Sequence, residues 1–255
     1  LYAGLLLWRP RPVARRDLLV MCVLGFVAIP LNQGLFLFGL SYTTPGHAAL
    51  LYAMTPVFVF LLALLRREER SSPWKSAGIA IAFAGAAVVL VARGQLSGQS
   101  GSDRALLGDL LVLLAVISWA VYAVWGKPYA MRYGVITTTG VTIVSGSLLY
   151  LPFGLAFSRA ASFRALSPEG WGSVAYLVVL TSVISYLLYY WALAREDASR
   201  VAIWSNTQPV LTALLAWAVY GDRLTPSFVA GGVLVIVGVV MTQQRPLERA
   251  HKNPR

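Results

Sequence analysis

Eight apolar runs of about twenty residues, parted by short polar breaks, decide what this chain can become. A run of that length is what a helix needs to cross a bilayer. In lipid every backbone N–H and C=O must be satisfied within the segment, so each run has to be helical. The predicted spans are Leu18–Ser41, Gly46–Leu65, Trp74–Arg93, Ala105–Gly126, Val135–Phe157, Trp171–Ala194, Arg200–Tyr220 and Pro226–Thr242. Leu1–Trp8 is too short to span and reads as the remnant of another helix. The chain starts with Leu and shows no charged leader or small-residue cleavage site, so the sequence predicts a truncated N-terminus. Composition agrees. The chain is 58% hydrophobic and 12% charged, where a soluble domain is about a quarter charged.

The second constraint is a repeat. At a fixed offset of 153 positions, the stretch from Pro56 to Val88 returns with the same marks. Pro56, Arg70, Pro73, Gly78 and Gly85 reappear as Pro209, Arg223, Pro226, Gly231 and Gly238, and Glu69 aligns with Asp222. Apolar identities are cheap in such a chain; prolines, glycines and an arginine at one offset are not. The sequence therefore divides into a first repeat, 1–94, a Gly/Ser-rich linker, 95–104, a second repeat, 105–244, and a basic tail, 245–255.

The net charge of +11 does not point to nucleic acid. The basic residues sit in short loops, with no basic face and no recognition motif. Their distribution orients the chain. The loops at 9–16, 66–75, 127–132 and 195–200, with the tail, hold sixteen of the 21 Lys and Arg residues, and the opposite loops hold five. The richer side is predicted to be cytoplasmic, which places the C-terminus inside. The acidic turn at Glu68-Glu69 then faces inward and its counterpart at Asp222 outward. Oppositely oriented repeats are a mark of secondary transporters, whose substrate site lies near the midplane. Duplication also builds channels and some membrane enzymes.

Candidate site residues follow from polar groups at depth. Pro56 and Pro209 each release the carbonyl four residues earlier, those of Tyr52 and Ser205. Thr55 shares a face with Tyr52, and Gln208 with Ser205. Asn206 points elsewhere, and an interhelical hydrogen bond is an equal reading of it. A kink used only for packing is the other reading. A second stripe, Ser182, Ser185, Tyr186 and Tyr189, aligns with Ile29, Asn32, Gln33 and Phe36. Asn32 and Gln33 follow Pro30 and need partners in an apolar helix; they line a cavity or hold helices together. Trp119 and Tyr122 suit the aromatic wall of a cavity, and Trp125 an interfacial anchor. Thr138, Thr142 and Ser145 suit close helix packing.

Ionisable groups at depth are few. Asp109 reads as a carboxylate one turn into its helix, favoured by the helix dipole, and His47 as a mouth or capping residue. Cys22 stands alone, so no intrachain disulfide forms. The sequence shows no metal cluster, paired carboxylates, nucleophile–base spacing, phosphate loop or ATP motif. It predicts no cofactor, no metal and no catalysis. A membrane-embedded enzyme acting on lipid-linked groups would need Asp109 and His47 buried together, and a passive channel would need a continuous pore.

The order Pro56, Glu68-Glu69, Pro73, Gly78, Gly85 resembles the EamA family of the drug/metabolite transporter superfamily. So does its second copy, QPVLTALLAWAVYGDRLTPSFVAGGVLVIVGVV from Gln208. GDLLVLLAVISWAVYAVWGK from Gly108 resembles the first helix of the family's second repeat. The resemblance covers nearly the whole chain and implies an all-α polytopic membrane protein. It implies ten helices as two inverted five-helix units around a central cavity; here the first helix and most of the second are missing. It further implies export of small organic metabolites such as amino acids or drugs, by alternating access, across a bacterial cytoplasmic (inner) membrane. The expected partners are a small-molecule substrate, the bilayer and a second copy of the chain as a homodimer.

Overall fold

Helices account for every regular element among the described residues. The computed structural model describes residues 12–43, 45–70, 72–92, 103–157, 167–208, 210–211, 214–215, 218 and 226–243. Pro209, Asp222, most of the linker and the tail, 245–255, lie outside them.

The first apolar run forms α1 (Arg15–Phe26), a π-helical segment Val27–Leu31, and α2 (Asn32–Leu40) as one continuous rod. Pro30 accounts for the widening. It offers no N–H and its ring crowds the preceding turn, so an unbroken α ladder cannot pass through it. A π turn absorbs the disruption.

The second run breaks where a single helix was predicted. α3 (Pro45–Tyr52) ends at the turn residues Ala53 and Met54, and α4 (Thr55–Leu65) restarts with Pro56 in its first turn. A proline there loses nothing, because the first N–H groups of a helix have no intrahelical partner.

α5 (Pro73–Ala92) and α6 (Asp103–Tyr133) follow. α6 is longer than predicted and carries Lys127 and Arg132, which the sequence places in a loop. Pro128 does not stop it; prolines are tolerated in apolar spans where neighbours satisfy the freed backbone. It ends instead at Gly134, whose φ of 86° suits glycine, and α7 (Val135–Phe157) begins at once. α8 (Pro168–Tyr176) is capped by the Ser167 hydroxyl, which accepts from the Gly170 N–H at 3.2 Å. It runs through a second π segment, Leu177–Ile184, into α9 (Ser185–Leu193). α10 (Ala198–Ala202) tightens into a 3-10 turn, Ile203–Thr207, and α11 is Pro226–Gln243. Among the described residues five helical stretches are long and apolar enough to cross a membrane, and Val229–Thr242 is a shorter apolar helix.

The chain forms two compact units, and each draws on both halves of the sequence. Unit 1 is Leu1–Phe38 with Leu114–Val201, and unit 2 is Gly39–Leu113 with Ala202–Arg255. In unit 1, α1 packs on α7 so closely that Gly25 touches the Thr142 carbonyl and the Ser145 hydroxyl. The small residues there allow that approach, as the sequence predicts. One end of unit 1 gathers charge. Asp17 accepts from Arg132 at 2.9 Å and from the Tyr133 hydroxyl, while Lys127 donates to the Glu196 carbonyl.

In unit 2, α5 and α11 pack antiparallel. Gly78 meets Gly238 and Thr242, and Gly85 meets Gly231 and Val235. A methyl group added at Gly238 would fall 2.5 Å from both the Ala82 nitrogen and the Gly78 carbonyl oxygen, so nothing larger than glycine fits. The 153-residue offset turns Gly78 into Gly231 and Gly85 into Gly238, so it exchanges the two contacts. Around this crossing Phe60, Ile79, Ala82, Ile203, Val210 and Val235 make an apolar layer.

Candidate functional site

Unit 1 holds an aromatic cluster. Trp119 and Tyr122 of α6 lie one turn apart in effect, and Tyr186, Tyr189 and Tyr190 come from α9. The Trp119 ring centroid is 5.5 Å from Tyr122, 5.6 Å from Tyr186 and 5.5 Å from Tyr189. Tyr122 meets Tyr190 edge-on at 5.1 Å. Such tilted and edge-to-face arrangements suit the ring quadrupole.

The cluster is held from behind. The Tyr190 hydroxyl donates to the Tyr122 carbonyl at 3.0 Å and rests on Gly126, where any side chain would collide with it. The Tyr122 hydroxyl pairs with Thr142 Oγ1 at 3.2 Å. One polar atom is left over: the buried Tyr189 hydroxyl has no hydrogen-bond partner among the described residues.

The rest of the predicted stripe behaves differently. Asn32 is buried, and its amide donates to the Ala115 carbonyl at 2.7 Å and to Ser118 Oγ at 3.1 Å. It ties α2 to α6. Gln33 is half-buried, and Ser185 is exposed with its hydroxyl on the Leu180 carbonyl at 2.8 Å. That bond reaches back five residues, the reach a π segment opens, and Ser182 does the same to Leu177 at 3.2 Å. The two π segments overlap under the 153-residue offset, Val27–Leu31 falling on 180–184.

Unit 2 holds the two proline breaks. In the first, Pro56 frees the Tyr52 carbonyl, and the Thr55 hydroxyl takes it at 2.6 Å. The turn closes with Met54 N–H on the Leu51 carbonyl at 3.0 Å, and both Thr55 and Pro56 are buried. In the second, the Ser205 carbonyl accepts from the Gln208 N–H in the 3-10 manner. The Ser205 hydroxyl donates to the Ala202 carbonyl at 2.7 Å and Thr207 to Trp204 at 2.6 Å. Ser205 and Gln208 are exposed. Asn206 is fully buried, and neither its Nδ2 nor its Oδ1 has a partner among the described residues. Leaving a buried donor or acceptor unmade costs about 1–3 kcal/mol.

Four predicted residues, Trp119, Tyr122, Tyr186 and Tyr189, thus come together in unit 1, while Tyr52 and Thr55 share one break in unit 2 and Ser205 and Gln208 flank the other. Pro209 lies outside the described residues. Asn206 and Tyr190 were not among the site residues. An α-helical wheel advances 100° per residue, but the 3-10 turn advances 120°, and that phase shift carries Asn206 inward. Tyr190 adjoins Tyr189 in the sequence but lies outside the i, i+3, i+4, i+7 stripe of Ser182, Ser185, Tyr186 and Tyr189.

Asp109 corrects another expectation. α6 starts at Asp103, so Asp109 is beyond the first turn, where the helix dipole has faded. It accepts instead from the Thr43 hydroxyl, across a crossing where Gly108 lies against Gly39 and Thr43. The His47 side chain lies outside the described residues. A buried ion pair was also missed: Lys75 Nζ is 2.9 Å from Glu69 Oε2, with Phe60 beneath the ammonium. Among the described residues no group of three His, Cys, Asp or Glu stands where it would hold a metal.

The EamA-like transporter family model matches residues 1–91 and 106–243. The chain belongs to that family. An uncharacterized transporter of Archaeoglobus fulgidus is 31% identical over 222 residues, covering 87% of this chain and 75% of the relative. A probable terminal-alkyne amino-acid exporter of Streptantibioticus cattleyicolor is 30% identical over 241 residues, covering 94% and 77%. The uncharacterized transporter YyaM of Bacillus subtilis is 29% identical, covering 89% and 73%. A solved crystal structure matches the fold with a TM-score of 0.74 at 18% identity, over 92% of this chain and 77% of that one. This EamA chain is a multi-pass, all-helical membrane transporter of the drug/metabolite type.

Proposed function

We propose that this EamA protein exports small organic metabolites, amino acids foremost, across a bacterial cytoplasmic membrane by alternating access. The observation that carries the reading is the return of helix irregularity at equivalent columns of both halves. The π segments Val27–Leu31 and Leu177–Ile184 correspond, and so do the break at Ala53–Met54 and the 3-10 turn Ile203–Thr207. Matched interruptions in two repeats mark where a secondary transporter binds and bends. The glycine contacts of α5 and α11 exchange under the same offset, which supports an inverted pair of repeats.

Trp119, Tyr122, Tyr186 and Tyr189 are the proposed substrate-contacting group. They offer aromatic faces, hydroxyls and no formal charge. A neutral or zwitterionic organic molecule fits that chemistry better than an ion does. The named function of the Streptantibioticus relative, an amino-acid exporter, favours the same cargo.

Counterflow in proteoliposomes tests the reading. Purified protein loaded with unlabelled amino acid should accumulate the labelled form above empty vesicles, and Trp119→Ala should abolish the signal. If no amino acid, nucleobase or drug moves above the empty-vesicle rate, the proposal is wrong.

A further inference from the structure

Asn206 has no assigned role, yet it is the least explained polar group in unit 2. It sits in the middle of the 3-10 turn Ile203–Thr207, fully buried, with both amide atoms unpartnered among the described residues. The turn packs against α4, α5 and α11, and its Ile203 shares an apolar layer with Phe60, Ile79, Ala82 and Val235. Its polar neighbours are all spent locally: Ser205 on Ala202, Thr207 on Trp204, and the Ser205 carbonyl on Gln208. Asn206 is thus the one side chain of the turn aimed into the unit with hydrogen-bonding capacity unused.

A buried amide in a membrane interior is retained at a standing cost, and such groups mark substrate or ion routes. The twin column makes the contrast. Position 53 carries alanine, equally buried, in a break that satisfies itself through Thr55. Helix geometry alone therefore does not call for an amide at this column. A short 3-10 stretch within a helical run is a common place for a hinge.

We infer that Asn206 is a ligand-contacting residue of the transport cycle, sealed in the conformation described and uncovered in another. The inference rests on the transporter reading above. The amide presents a donor, Nδ2, beside an acceptor, Oδ1, with no charge. Its complement is a group that is neutral overall and offers an acceptor beside a donor: the carboxylate and ammonium of an amino acid, or a carboxamide. A bare cation would engage only Oδ1, a fully ionised phosphate only Nδ2, and a pure hydrocarbon neither.

The test uses the single cysteine to advantage. Cys22→Ser gives a thiol-free background. In it, Asn206→Cys and Ala53→Cys report on equally buried columns. The protein in proteoliposomes is treated with a small water-soluble methanethiosulfonate, with and without an equimolar mixture of the twenty amino acids. The expected result is labelling at position 206 roughly tenfold faster than at position 53, slowed by the amino-acid mixture. In parallel, Asn206→Leu should raise the counterflow KM roughly tenfold while its Tm is unchanged or higher. Equal, negligible labelling at both positions, or an Asn206→Leu protein with an unchanged KM, overturns the inference. Absent counterflow in the unsubstituted protein instead overturns the transporter reading, so the two failures are distinguishable.

Discussion

The two proline breaks of unit 2 pose one backbone problem and solve it in two ways. At Tyr52–Pro56 the freed carbonyl is taken by the Thr55 hydroxyl, the flanking turn closes on itself, and the column facing inward carries Ala53. At Ser205–Gln208 the carbonyl is taken by a 3-10 backbone bond, the hydroxyls are spent outward, and the inward column carries Asn206 with nothing to bond. One break is chemically finished. The other keeps a donor and an acceptor in reserve. The two breaks fall on equivalent columns, and they differ at one of them, Ala53 against Asn206.

The largest expected effect tests the frame that lets the breaks be compared. Gly238→Leu places a branched side chain against Ala82 and Gly78, where even a methyl group does not fit. It should abolish monodisperse protein on size exclusion in detergent. Gly238→Ala should cost about 1–3 kcal/mol. A folded Gly238→Leu protein would mean that α5 and α11 are not locked as the exchange of contacts requires.

The next effect sharpens a second asymmetry between the repeats. Lys75 pairs with Glu69, while the column aligned with Lys75 in the second repeat is Phe228. Lys75→Met strands a buried carboxylate and should cost about 3–5 kcal/mol in thermal or denaturant unfolding. The double variant Lys75→Met, Glu69→Gln should recover most of that loss. Equal losses in the single and double variants would show that the pair contributes through packing alone.

A smaller effect probes the support behind the aromatic cluster of unit 1. Tyr190→Phe removes the hydrogen bond to the Tyr122 carbonyl and should cost about 0.5–1.5 kcal/mol. Counterflow should survive it, whereas Tyr189→Phe removes a hydroxyl with no structural bond, so it should leave stability unchanged and raise KM. Identical behaviour of the two variants would argue against a division between supporting and contacting tyrosines.

Much of this was legible in the residues. Run length and hydropathy led to helices, because lipid leaves the backbone no alternative. The offset of 153 led to equivalent columns, and the π segments and breaks fall on them. Tyr186 and Tyr189 share a stripe by spacing and Trp119 and Tyr122 suit an aromatic wall on another helix; that the two pairs meet is a tertiary contact no single helix encodes. The misses occur where the helix is not α. Asn206 was read as off the Ser205–Gln208 face and suited to an interhelical hydrogen bond; it is buried with no such bond among the described residues. Asp109 was read as dipole-stabilised because the first two residues of α6, Asp103 and Arg104, resemble linker. Lys127 and Arg132 were assigned to a loop after a span expected to end at Gly126, and the helix ends only at Gly134. Asn32 could be read as cavity lining or as glue; its two bonds to α6 are a matter of tertiary contact that no single helix encodes.

The unequal breaks are tested most directly by thermal unfolding of two single variants measured side by side. Thr55→Val removes the donor that closes the first break and should lower stability by about 1–2 kcal/mol. Asn206→Leu removes an unsatisfied amide from an apolar layer and should raise Tm, by about 2–4 °C for each kcal/mol gained. Shifts of opposite sign are the result this account predicts. A fall in Tm for both variants would show that Asn206 is as firmly satisfied as Thr55, and that the two breaks are equivalent after all.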